Sequence, residues 1–134
     1  MVGLLVLTHT VPPLISVFDQ LTPQILAGVW VKQILDEPLL EIIRRRGRLA
    51  QEDGERLLSH VQQAKLIGAQ AVLVTCSTIS PLVDQTQSLA SIPVFKFDQA
   101  MIEKGVHLAT RIGVLATNRT THVPTRQMLG AQAP

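Results

Sequence analysis

The apolar residues of this chain fall into five short continuous runs, and longer segments with apolar residues at helical spacing separate them. Runs of four to seven apolar residues with little polar alternation are typical of strands buried on both faces of a parallel sheet. The pattern therefore predicts strands over residues 4–7, 29–35, 71–75, 92–97 and 111–117.

The segments between these runs predict helices, the clearest over 51–67. There Leu57, Leu58 and Val61 belong to a mostly apolar stripe, and Gly68 ends the helix. The other helices are expected over about 14–25, 39–45, 81–89, 99–110 and 120–129. Strict alternation of strand and helix predicts an α/β fold with an open, mainly parallel sheet of about five strands and helices on both faces.

Composition agrees with a globular domain and argues against nucleic-acid binding. The 134 residues are 46% hydrophobic, 16% charged and only 3% aromatic, so the core must consist of Leu, Ile, Val and Ala. A net charge of +2 is too small to indicate a nucleic-acid partner. One basic cluster, residues 44–48, is interpreted as the solvated end of a helix rather than a phosphate-binding patch, and no aromatic residue is interleaved with it.

The chain contains a single cysteine, Cys76, which excludes an internal disulfide and a CxxC metal site and fits a reducing compartment. The apolar run at residues 1–7 has no basic flank and is too short for a signal peptide, and no segment approaches the ~20 apolar residues of a membrane span. We expect a cytoplasmic protein with no membrane partner.

Polar and reactive side chains follow the predicted strands. Ligands of open parallel sheets bind beyond the carboxyl ends of the strands, so these residues are candidates for a site. They are Thr8, His9 and Thr10 after the first strand, Asp36 and Glu37 after the second, Cys76, Ser77 and Thr78 after the third, Asp98 after the fourth, and Thr117, Asn118, Thr120 and Thr121 after the fifth.

Cys76 is the strongest candidate for chemistry. A free cysteine is usually a small buried hydrophobe, but this one follows a strand rather than lying inside it. At a strand-to-helix turn, the first N–H groups of the helix favour the thiolate, and Ser77 and Thr78 add hydroxyl donors that suit a carboxylate. His9 is left open between a site residue and a satisfied core histidine.

Several other kinds of site are excluded. A cysteine phosphatase loop needs an arginine where this chain has Leu82, and there is no GxGxxG, Walker-type or G-x-S-x-G motif. His60, His107 and His122 are widely spaced without a metal-ligand pattern, so no metal is expected.

Three segments resemble one family, the aspartate/glutamate/hydantoin racemase superfamily. Residues 69–78, AQAVLVTCST, are similar to its first cysteine motif, and residues 93–101, PVFKFDQAM, and 111–125, RIGVLATNRTTHVPT, agree with it in the same order. The resemblance implies a cofactor-independent racemase or isomerase with two similar α/β lobes, each contributing one cysteine to a site between them.

The resemblance also implies roles for particular residues. Cys76 would be the acid/base of the first lobe, acting at the carbon next to a carboxylate. Ser77 and Thr78 would bind the substrate carboxylate, with contributions from Thr117, Thr120 and Thr121. Their positions after predicted strands add His9, Thr10 and Asn118 to the candidate substrate-binding residues. Ser77 replaces the asparagine frequent in glutamate racemases, which points away from that branch. The expected ligand is an amino acid or another small carboxylate, with no cofactor.

The chain departs from the family in length and in cysteine count. Residues 1–110 would form the first lobe and residues 111–134 the first strand and helix of an incomplete second lobe, without the second cysteine. One hypothesis is therefore a racemase-type isomerase that is active either in its intact form or through pairing of two half-chains, and a homo-oligomer is expected. The other is a non-catalytic carboxylate-binding module or an inactive truncated lobe.

Overall fold

The computed structural model describes residues 3–132, which form four strands and six helices. The strands are β1 (Gly3–His9), β2 (Val29–Leu35), β3 (Ala71–Val74) and β4 (Val94–Lys96). The helices are α1 (Pro13–Ile25), α2 (Glu37–Arg46), α3 (Gln51–Leu66), α4 (Ser80–Leu89), α5 (Gln99–Leu108) and α6 (Arg119–Gln132). None of these helices is both long and apolar enough to cross a bilayer.

The four strands form one parallel sheet in the order β2-β1-β3-β4. Its register pairs His9 with Leu35, and Thr8 with Val74, which in turn pairs with Lys96. The carboxyl ends of all four strands therefore meet at one edge, as the alternating pattern predicted. The predicted α/β class with a parallel sheet is confirmed.

One face of the sheet carries the main core. Val6, Val72, Val74 and Val94 alternate along β1, β3 and β4 and are at most 7% exposed. They pack in one cluster with buried residues of α2, α3 and α4, among them Leu39, Leu40, Ile43, Leu57, Val61, Ala64, Leu82 and Val83. Three helices thus cover this face with aliphatic side chains, which is what a chain poor in aromatics can provide.

The opposite face is covered more thinly. The ring of Phe18 in α1 lies 5.2 Å from that of His9 and 5.8 Å from that of Phe97, measured between centroids, so α1 packs on this side. No residue of α1 is buried, and Phe97 remains half exposed. Helices therefore lie on both faces, but the core is strongly asymmetric.

Asp36, directly after β2, joins the sheet to the helices. Its buried carboxylate accepts hydrogen bonds from Arg56 Nε and Nη2, both 2.6 Å, and from His60 Nε2 at 2.7 Å. It also caps α2 through the backbone N–H of Leu39. Burial raises the pKa of Asp36, but the hydrogen bonds from Arg56, His60 and Leu39 and the charge of Arg56 outweigh it, and the net effect is a lowered pKa.

The predicted fifth strand over residues 111–117 is wrong. The segment is irregular, and within residues 3–132 its backbone makes no hydrogen bond to a neighbouring strand. β4 has only three residues and pairs with β3, and Leu115 is fully exposed. An apolar run adopts strand structure only where a second strand satisfies its N–H and C=O groups, and no described residue does so here.

We expect Asp36→Asn to lower the free energy of unfolding by about 2 kcal/mol at pH 7, because Arg56 and His60 lose an anionic acceptor. Folding lowers the pKa of Asp36 below its unfolded value of 3.8. The stability contributed by the ionised carboxylate is therefore fully present above pH 3.8, and it is lost as the pH falls through the folded-state pKa. Urea unfolding of both proteins from neutral to acidic pH measures this difference.

Asp84→Asn is the matched control. Asp84 also forms a carboxylate–cation pair, with Lys96, but its side chain is 77% exposed. Its substitution should cost less than about 0.5 kcal/mol. Equal losses in the two variants, or a difference between wild type and Asp36→Asn that persists in acid, would contradict the assignment.

Candidate functional site

Cys76 lies at the carboxyl edge of the sheet, two residues after β3, and is 9% exposed. Its carbonyl oxygen accepts the N–H of Ile79 at 3.1 Å, which closes a turn over residues 76–79 before α4 begins at Ser80. The backbone N–H groups of Ser77 and Thr78 have no acceptor within residues 3–132. This turn therefore presents a thiol together with two free backbone donors.

Thr75 fixes the position of this turn. Its backbone N–H donates to the Thr8 carbonyl at 3.1 Å, and its Oγ1 lies 3.0 Å from the same oxygen. The side chain of Thr75 is also 2.7 Å from His9 Nδ1. Three contacts with the end of β1 therefore hold the residue that precedes Cys76.

His9 is completely buried and lies in a chain of polar contacts that crosses three strands. Its Nε2 donates to Gln33 Oε1 at 2.7 Å, and Gln33 Nε2 donates to Asp19 Oδ1 at 2.6 Å. Loss of hydration through burial lowers the pKa of His9, although the bond to Gln33 and the charge of Asp19 act in the opposite direction. The neutral imidazole then has an oxygen within hydrogen-bond distance of each ring nitrogen.

A cavity of about 660 Å³ opens beside Cys76. Its wall includes Ser77, Thr78 and the irregular segment 112–118, with Met101, Ile102 and Leu129 supplying apolar surface. This volume lies within the range of pockets that hold small organic ligands.

Thr78 ties α6 to the turn that carries Cys76. Its buried Oγ1 lies 2.9 Å from Thr120 Oγ1 and 3.4 Å from Thr121 Oγ1. Asp98, two residues after β4, supports the same region, because its Oδ1 accepts the hydroxyl of Ser80 at 2.9 Å. Although Asp98 directly precedes α5, its side chain makes no capping bond to that helix and instead contacts the first residue of α4.

The structure brings together most of the residues predicted for the site. Cys76, Ser77, Thr78, Thr117, Asn118 and Thr121 all line the cavity. Thr120 lies behind it, in contact with Thr78. His9 and Thr10 are buried and do not line it. His9 instead contacts Thr75, and the hydroxyl of Thr10 has no partner within residues 3–132.

Arg44 lines the cavity although the sequence did not predict it as a site residue. It belongs to the basic cluster interpreted as a solvated helix end, yet it lines the cavity from the last turn of α2. It is the only charged side chain among the described residues of the wall. The only sign of this position in the sequence is that Arg44 directly follows Ile43, an apolar residue that α2 buries.

A parallel α/β sheet with its thiol and hydroxyls at the carboxyl edge belongs to the class of α/β proteins that bind small ligands there. A family model described as Asp/Glu/Hydantoin racemase matches residues 34–132, more than half of the chain. The chain therefore belongs to the Asp/Glu/hydantoin racemase family, which confirms the resemblance seen in the sequence. Among curated proteins no significant match is found.

We expect Thr75→Val to lower the free energy of unfolding by about 1–3 kcal/mol, because His9 Nδ1 loses its buried partner while the shape of the side chain is kept. Chemical denaturation monitored by circular dichroism measures the change. Thr86→Val is the matched control: Thr86 is also buried, but its hydroxyl has no partner within residues 3–132, so its loss should be nearly neutral. Equal destabilisation by both substitutions would show that the contact with His9 contributes nothing.

Proposed function

We propose that the chain acts as a cofactor-independent racemase or isomerase in which Cys76 exchanges a proton at the carbon next to a carboxylate. Family membership supports a racemase or isomerase kind of activity. The observation that carries the finer proposal is the position of Cys76 in a cavity that also presents hydroxyls and free backbone N–H groups.

The substrate carboxylate is bound by the turn after Cys76. The N–H groups of Ser77 and Thr78 have no other acceptor within residues 3–132, and the Ser77 hydroxyl adds a donor. Arg44 gives the cavity wall a positive charge with no acidic residue beside it among the described lining residues. Such donors matter most in the transition state, where negative charge moves from the carbon onto the carboxylate.

In the chemical step the thiolate of Cys76 takes the proton from the α-carbon and becomes a thiol. The electron pair of the broken C–H bond delocalises into the bound carboxylate. Return of the proton from Cys76 to the same face restores the original enantiomer, whereas inversion needs a second acid on the opposite face. The 134 residues contain no second cysteine, so inversion requires a group from outside this chain or a non-thiol acid.

A second copy of the chain is the proposed source of that acid. The apolar side chains of Ile112 and Leu115 beside the cavity are 42% and 101% exposed, so this side has surface available for a partner. Pairing there would bring a second Cys76 toward the cavity. Activity that rises with the square of protein concentration would accompany such pairing.

A non-catalytic carboxylate-binding module is the second candidate. The single thiol favours it, because binding needs only the donors around the cavity and no second acid. Such a module would gain thermal stability from dicarboxylates or amino acids and yet catalyse no exchange at carbon.

We expect wild-type protein in deuterated water to exchange the α-proton of an acidic amino acid. At low protein concentration the exchange should exceed racemisation, because one thiol serves one face. Proton NMR follows the loss of the α-proton signal, and chiral chromatography follows inversion. Cys76→Ser should abolish the exchange, because an alcohol is a far weaker acid than a thiol.

Ser88→Ala is the control, because Ser88 is exposed on α4 and does not line the cavity. It should exchange at the wild-type rate. Absence of exchange with aspartate, glutamate and alanine, or exchange that survives Cys76→Ser, would refute the proposed chemistry. Thermal stabilisation by these ligands without exchange would identify the binding module instead.

A further inference from the structure

The basic cluster of α2 separates into two groups in the folded chain. Arg45 pairs with Glu41, and Arg46 donates to both carboxylate oxygens of Asp53, at 2.7 and 3.3 Å. Arg44 and Arg48, by contrast, form no ion pair within residues 3–132. The cluster therefore keeps two guanidinium groups for which the fold provides no counter-charge.

A third unpaired arginine joins these two from a distant part of the chain. Arg119, the first residue of α6, lines the same cavity as Arg44 and Arg48. This cavity has a volume of about 500 Å³, and no Asp or Glu occurs among its described lining residues. Three like charges around one cavity repel each other, and a bound anion would relieve that repulsion.

The remainder of the cavity wall is mostly apolar, with polar side chains from Thr78, Thr120 and Gln127. Ile43, Leu49, Pro81, Val123 and Pro124 line it beside the arginines. Gly47 makes this arrangement possible, because it ends α2 with a φ of 75° and turns the chain so that Arg48 follows on the same cavity. The volume and the mixed wall suit an organic anion with an apolar body rather than a bare inorganic ion.

We propose that the cavity lined by Arg44, Arg48 and Arg119 binds an organic phosphate, with the phosphate on the guanidinium groups and the organic portion on the apolar wall. A guanidinium group can donate two parallel hydrogen bonds to two oxygens of one phosphate. The charge of a phosphate dianion also balances the three positive charges better than the charge of a monocarboxylate does. The site lies beside the Cys76 cavity and shares Arg44 and Thr78 with it. The proposal does not depend on the isomerase activity.

Phenyl phosphate is the probe, and isothermal titration calorimetry with the intact chain at low salt measures its binding. Inorganic phosphate and benzoate, which lack the organic portion and the phosphate respectively, should each bind more weakly. Arg48→Gln and Arg119→Gln should each weaken binding of phenyl phosphate roughly tenfold or more, because each removes a charge-assisted hydrogen bond. Added salt should weaken binding to wild type further.

Arg126→Gln is the matched control, because Arg126 also lies on α6 and carries the same charge but does not line this cavity. It should bind phenyl phosphate as wild type does. The conservative variants Arg48→Lys and Arg119→Lys, which keep the charge, should bind with intermediate affinity and report on the site even if a glutamine variant fails to fold. No binding of phenyl phosphate, equal binding of benzoate, or equal weakening by Arg126→Gln would overturn the proposal.

Discussion

The hydrogen bonds between Thr75 and the end of β1 determine where the thiol of this chain lies. The N–H of Thr75 donates to the Thr8 carbonyl, and the hydroxyl of Thr75 lies within hydrogen-bond distance of both that carbonyl and His9 Nδ1. Because these bonds span neighbouring strands, Cys76 cannot shift without disturbing the register of β1 and β3. The position of Thr75 in turn determines where the following turn presents its free N–H groups to the cavity and where Thr78 contacts α6.

The asymmetry of the sheet explains why the site is both rigid and accessible. One face is packed by three helices, and the buried carboxylate of Asp36 links that layer to the end of β2. The other face is covered by a helix with no buried residue, and the segment after α5 has no strand to pair with among residues 3–132. A rigid edge thus meets a wall of irregular backbone, an arrangement that gives a small ligand room beside a fixed thiol.

Much of the fold could be predicted from the sequence, because four of the five apolar runs correspond to strands and the helical stripes correspond to helices. The run at 111–117 failed because strand formation depends on a neighbour, which hydrophobicity alone does not report. Cys76, Ser77 and Thr78 lie at the carboxyl edge because they follow β3, as parallel topology predicts. Thr117, Asn118 and Thr121 line the same cavity although the strand expected to carry them is absent, and the contacts of Thr78 with Thr120 and Thr121 hold this part of the chain there. The sequence could not predict that Arg44 lines the cavity or that His9 contacts Thr75 and Gln33. These features join residues far apart in sequence and depend on particular side-chain orientations.

The central claim, that Cys76 stands beside a carboxylate-binding cavity, is tested most directly by comparing its alkylation by iodoacetate and iodoacetamide. The two reagents differ in whether they carry a carboxylate, and mass spectrometry of the intact chain gives both rates. We expect the ratio of the iodoacetate rate to the iodoacetamide rate to be severalfold higher for Cys76 than for free N-acetylcysteine. An equal or lower ratio for Cys76 would contradict the claim.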